Sequence, residues 1–183
     1  MEHTAGNEAG HLEYVEIANV SSAPVPLADP AFPTNVWRLA GGLSFAFPAG
    51  ASIPAQGRAL VVGFNPTSNT DALAGFTARY GALPADARIF GPYSGRLNNA
   101  GDVLRLEQPD VPDPVSGVVA HVLIDSVHYA VSTPWPFLAD GFGPSLHRTA
   151  APGFGEDPAN WIAALPSPGA ADAAVAAPAI AQG

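Results

Sequence analysis

The chain has 183 residues, 48% of them hydrophobic and only 13% charged, which excludes a charge-driven disordered polymer and suits one domain with a full core. Seven Arg, no Lys and sixteen acidic residues give a net charge of −9, which excludes nucleic acid and anionic lipid as natural partners. The absence of Cys excludes disulfides, thiolate chemistry and Cys-based zinc sites, and no apolar run is long enough for membrane insertion.

Nineteen Gly and twenty Pro without a repeat point to many turns, and so to many short strands. Residues 1–11 are small and polar and read as an N-terminal stub. His3 and His11 with Glu2, Glu8 and Glu13 read as a solvated terminus, with adventitious metal binding as the alternative. Residues 12–19 form the first predicted strand, with Val15 and Ile17 on one face and Tyr14 and Glu16 on the other. Trp37-Arg38-Leu39 and Ser44-Phe45-Ala46-Phe47 flank Gly41-Gly42, a hairpin signal. Residues 58–63 are an apolar run, read as a buried strand. Thr70 or Asp71 caps a predicted helix over residues 72–80, which Gly81 ends, with Leu73, Phe76 and Tyr80 toward the sheet. Residues 103–107 alternate as a half-buried strand, 109–117 form a loop with three prolines, and 118–129 form the longest strand, bent near Asp125.

Residues 133–146 are too rich in Pro and Gly for a helix or a central strand, yet they carry a Trp and two Phe. Such a segment is expected to fold back on a packed body and be held there. Ser145 to Arg148 read as a final short strand, and Asp157 to Trp161 as a helical turn that docks Trp161. Low-complexity Ala, Pro and Gly begin at Pro166, and residues 170–183 read as a linker or tail. Short strands with one helix and no helix–strand alternation predict an all-β fold.

The order of motifs resembles the lamin-tail domain, an immunoglobulin-like β-sandwich that also occurs in exported bacterial proteins. Its carriers are Glu13-Tyr14-Val15-Glu16-Ile17-Ala18-Asn19, Trp37-Arg38-Leu39 with Phe45-Ala46-Phe47-Pro48-Ala49-Gly50, and Leu97-Asn98-Asn99-Ala100-Gly101-Asp102 with Leu104-Arg105-Leu106. Pro134-Trp135-Pro136, Asp140-Gly141, Ser145-Leu146 and Asp157-Pro158-Ala159-Asn160-Trp161 look like the C-terminal half. The resemblance covers about residues 12–169 and implies a lamin-tail-like β-sandwich with one short helix in a long connection, residues 65–87. Bacterial members begin with a further apolar strand where residues 1–11 supply only a stub. The strand is expected to be truncated or supplied by another segment or chain, leaving a sheet edge open to β-strand addition.

The same resemblance reads Trp37, Trp135, Trp161, Phe137, Phe142 and Tyr93 as core and loop anchors, with a sugar-stacking face as the alternative. Pro92-Tyr93-Ser94-Gly95 reads as an exposed aromatic turn. Ser145, His147 and Asp140 are the residue types of a hydrolytic triad, with Ser145 and His147 pointing the same way. Without a G-x-S-x-G elbow they read as surface polar residues on a strand, and no catalysis is expected. His121 and His128, seven apart, would face opposite sides of an unbroken strand. Asp140, Glu156, Asp157 and Asn160 offer oxygen ligands for a structural Ca²⁺, but they match no calcium loop, and Asp157 reads first as a helix cap. No cofactor is expected. The predicted role is a non-catalytic interaction or scaffolding module of an exported, multidomain bacterial protein, extracellular or at the cell surface, whose own leader is not in this chain. Its partner is another domain, a subunit or an extracellular polymer, and the alternative is a carbohydrate-binding module attached to a secreted hydrolase.

Overall fold

The computed structural model describes residues 12–139, 143–149 and 153–170. Its first half contains β1 (Tyr14–Ala18), β2 (Val25–Pro26), β3 (Arg38–Gly41), β4 (Leu43–Ala46), β5 (Ser52–Ile53) and β6 (Arg58–Val62). The helix α1 (Thr70–Tyr80) then precedes β7 (Arg88–Phe90), β8 (Ser94–Gly95), β9 (Gly101–Pro109), β10 (His121–Ala130), β11 (Ser145–Arg148) and β12 (Trp161–Ala164). The described residues are thus all-β with one short helix. β5 and β8 are two-residue pairings too short to impose a pattern on the sequence, whereas β2, equally short, lies in the 25–27 stretch whose residues read as a short edge strand. β12 lies where the sequence predicts only a docked helical turn. That turn exists as a 3-10 helix, Pro158–Asn160, capped by Asp157 as expected, but it delivers Trp161 into a strand paired with β11. β11 is therefore not the last strand.

One sheet has the order β1-β6-β7, with β1 antiparallel and β7 parallel to β6. A parallel neighbour demands a crossover, and α1 supplies it, which is why the connection over residues 65–87 is long. Asn69, one residue ahead of the predicted caps, accepts the Ala72 N–H at 3.0 Å. Gly81, at φ 91°, ends the helix as expected by turning its N–H onto the Thr77 carbonyl. β6 is apolar at every inner position because both its faces are covered. Leu60 and Val62 join Tyr14, Phe64 and Phe76 beneath the helix, while Ala59 and Val61 point into the larger core with Val15. Leu73 and Tyr80 pack against the helix-side cluster.

The second sheet has the order β10-β9-β3-β4-β8 and is antiparallel throughout. Gly41 and Gly42 join β3 to β4. Gly41 sits at φ 122°, and a Cβ on Gly42 would lie 1.9 Å from an Asp102 carboxylate oxygen. Leu39, Leu43, Leu104 and Val127 of this sheet share one buried cluster with Val15 and Val61 of the first, and Phe47, Tyr129 and Trp135 belong to it too. Composition marks the chain from Pro166 onward as tail, yet Pro168 is buried and the Gly169 N–H donates to Glu16 at 2.7 Å. The opposite oxygen of Glu16 accepts from Arg58, so the docked C-terminal segment and β6 share one carboxylate.

Candidate interaction surface

β9 and β10 pair along their whole length, from Gly101↔Ala130 to Pro109↔His121. β3 accompanies β9 only between Leu104 and Glu107. Beyond Glu107 the β9–β10 hairpin therefore extends past the sheet as a two-stranded arm. The loop at its tip is tightly tied. Asp113 accepts N–H bonds from Val115 and Ser116 and the Ser116 hydroxyl at 2.7–3.0 Å, while its own N–H reaches the Val118 carbonyl. Asp110 N–H donates to Ala120 O at 2.8 Å, which extends the pairing into the loop. The Ser116 and Val115 donors hold the Asp113 carboxyl below the usual aspartate range.

Between its acidic tip and the sheet this arm exposes aliphatic side chains. Val122 is 49% exposed, Leu123 54% and Ile124 45%, and Val111, Val115 and Val118 are more exposed still. β10 is an edge strand, with no neighbour on its other side among the described residues. Its free edge stops at Ser126. There residues 154–157 cross it so closely that a Cβ on Gly155 would lie 2.2 Å from the Ser126 carbonyl oxygen. Ser126 also bonds Glu156. Asp125 accepts from both terminal guanidinium nitrogens, Nη1 and Nη2, of Arg148, which stacks 5.6 Å over Trp161, and the Trp161 indole N–H donates to Gly155 O. On the arm side of this crossing the described residues leave the edge open from His121 to Ile124.

The residues singled out in the sequence lie elsewhere. Trp135 is buried in the main core, 6.2 Å from the Trp161 ring. Trp161 and Trp37 are half-buried against the same core. Tyr93 is not an exposed turn aromatic. It is buried, its hydroxyl donates to the equally buried Glu13, and burial followed by the Glu13 charge pushes its pKa far up. Phe137 is not an anchor either, standing 59% exposed in the 3-10 turn Phe137–Ala139. Phe142 and Asp140 lie outside the described residues, as do the stub over residues 1–11 and residues 171–183.

Ser145 Oγ and His147 Nε2 do meet, 2.8 Å apart on one face of β11. Ser145 is only 1% exposed, so it is a buried strand residue rather than a surface one. Glu156 is engaged by Ser126, Asp157 by the Ala159 N–H and the Asn160 amide by the Phe154 carbonyl. Among the described residues no three His, Asp or Glu side chains converge as a metal site, and no helix is long and apolar enough to cross a membrane. His121 and His128 do not face opposite sides. The bulge at Ile124 shifts the register, so they oppose Pro109 and Val103, which share a face. At about 3.3 Å per residue they still stand roughly 20 Å apart, too far to share a metal.

Sequence reasoning missed the exposure of Val122, Leu123 and Ile124. The available signal was a change of period within one strand: an unbroken apolar run to Ile124, then the alternation Ser126, Val127, His128, Tyr129. Comparisons of the chain with family models, with curated proteins and with solved structures each found no match.

Proposed function

We propose that the chain is a non-catalytic, immunoglobulin-like β-sandwich of the lamin-tail kind that binds another protein along the free edge of the β9–β10 arm. The common core between the two larger sheets supports the sandwich reading. So do the parts played by the motifs that carry the resemblance. Asn19 donates to the carbonyls of Ala23, Ile53 and Pro54 and fixes the turn after β1, and Trp135 and Trp161 anchor the C-terminal half. Export as one module of a longer bacterial protein follows from that resemblance and belongs to the same proposal.

The observation that carries the binding role is the open edge at Val122, Leu123 and Ile124. Proteins blunt such edges with charge, proline or a covering segment, because an unpaired apolar strand templates further pairing. Here the covering segment stops at Ser126, and no charge or proline guards residues 121–124. Strand addition satisfies the open backbone groups and buries the aliphatic side chains together. A protein partner is favoured over a polysaccharide because Tyr93 and Trp135 are buried, and Trp161 is occupied by Arg148. Selection of short random peptides on the immobilised chain tests the role. Selected binders should lose affinity for the double variant Val122→Lys, Leu123→Lys at unchanged Tm. Binders indifferent to that variant would move the function to another surface.

A further inference from the structure

We infer that the arm's partner is a basic strand, an extended segment of branched apolar residues flanked by Arg or Lys, and not a second copy of this chain. The inference rests on the reading of the arm as a docking edge and adds what must dock there. Its first support is charge. From Leu106 to His147 the chain carries Glu107, Asp110, Asp113, Asp125 and Asp140 without one Arg or Lys. Glu107 is matched by Arg38 and Arg105, and Asp125 by Arg148. Asp110 and Asp113, both exposed at the tip, have no ion pair among the described residues. Two uncompensated carboxylates therefore border the aliphatic surface, and a strand that buries this surface brings its flanks against them.

The second support is geometry. A symmetric antiparallel pairing of two copies over residues 121–124 lays the tip of each arm beside the base of the other. The base ends at the crossing segment, where Glu156 and Asp157 are exposed. Tip aspartates would then face base carboxylates twice over, on molecules that each carry −9. Like charges set opposite one another penalise that pairing, whereas a basic strand meets opposite charge at both ends of the open stretch.

The test uses the full chain and two labelled peptides, one of alternating Val and Arg and one of alternating Val and Glu, titrated by fluorescence anisotropy at two salt concentrations. The Val/Arg peptide should bind, more weakly as salt rises, and roughly tenfold or more tighter than the Val/Glu peptide. Asp110→Asn with Asp113→Asn should narrow that difference, and Val122→Lys with Leu123→Lys should abolish binding, with Tm verifying the fold of each variant. Equal affinity for both peptides would overturn the basic partner and leave the docking edge standing. Binding of neither would overturn the docking edge itself. Reversible self-association that disappears in Val122→Lys, Leu123→Lys would make a second copy the occupant and overturn the inference.

Discussion

Trp135 illustrates how a single residue holds an irregular segment on the body of this protein. Pro-rich chain cannot anchor itself through ladder hydrogen bonds, so the ring does so by burial beside Trp161, which in turn carries Arg148 and through it Asp125 of β10. Trp135→Ala should cost about 3–5 kcal/mol in urea unfolding, the range for a large buried ring, and a near-neutral result would place the ring at the surface. Glu107 gives the fold a pH dependence of known sign. Its hydrogen bond to Arg38, joined by Arg105, holds the carboxyl below its ordinary value of 4.5. A lowered folded-state pKa contributes stability above the unfolded value, and that contribution fades as pH falls through the lowered one. Thermal unfolding below pH 4.5 should therefore fall less steeply in Glu107→Gln than in the parent, by a small margin since Arg38 is half exposed. Parallel curves would remove this role. The anchor part of Trp135 is legible from sequence, because an indole amid prolines has few other uses. Tyr93 is not, since its own neighbours spell a turn and the carboxylate that receives its hydroxyl lies 80 residues away.

At the level of elements, patterns that depend on local period are readable, and those that depend on where a neighbouring strand stops are not. The continuous apolar run of β6 announces a strand covered on both faces, and the 3.6-residue spacing of Leu73, Phe76 and Tyr80 announces the helix that covers one of them. The bend near Asp125 is likewise legible, and it is the bulge at Ile124. The residues of β10 do not say, however, that β3 begins only at Arg38 and leaves the arm without a third strand. Nor does a lone Gly155 reveal that residues 154–157 must pass within van der Waals contact of the β10 edge. Gly155→Ala should force that segment outward at a cost on the order of 1–3 kcal/mol. The amide protons around Ser126 should then exchange faster than in the parent. Unchanged exchange would show that the segment does not close the edge.

The described residues join a doubly packed body to the β9–β10 arm. The first sheet is sealed by the helix on one side and the common core on the other, and the C-terminal segment is fastened to Glu16. Among the described residues β1, β7 and β8 are edge strands too, but the stretch of β10 from His121 to Ile124, next to the acidic tip, is the edge that exposes a run of aliphatic side chains. Residue-resolved NMR of the labelled chain titrated with the Val/Arg peptide tests this most directly. Amide shifts should concentrate at Val118 through Ile124 and at the arm tip, with β1, α1 and Trp161 unmoved. Shifts centred on β1, on Phe137 or on the Trp161 cluster, with the arm silent, would contradict it.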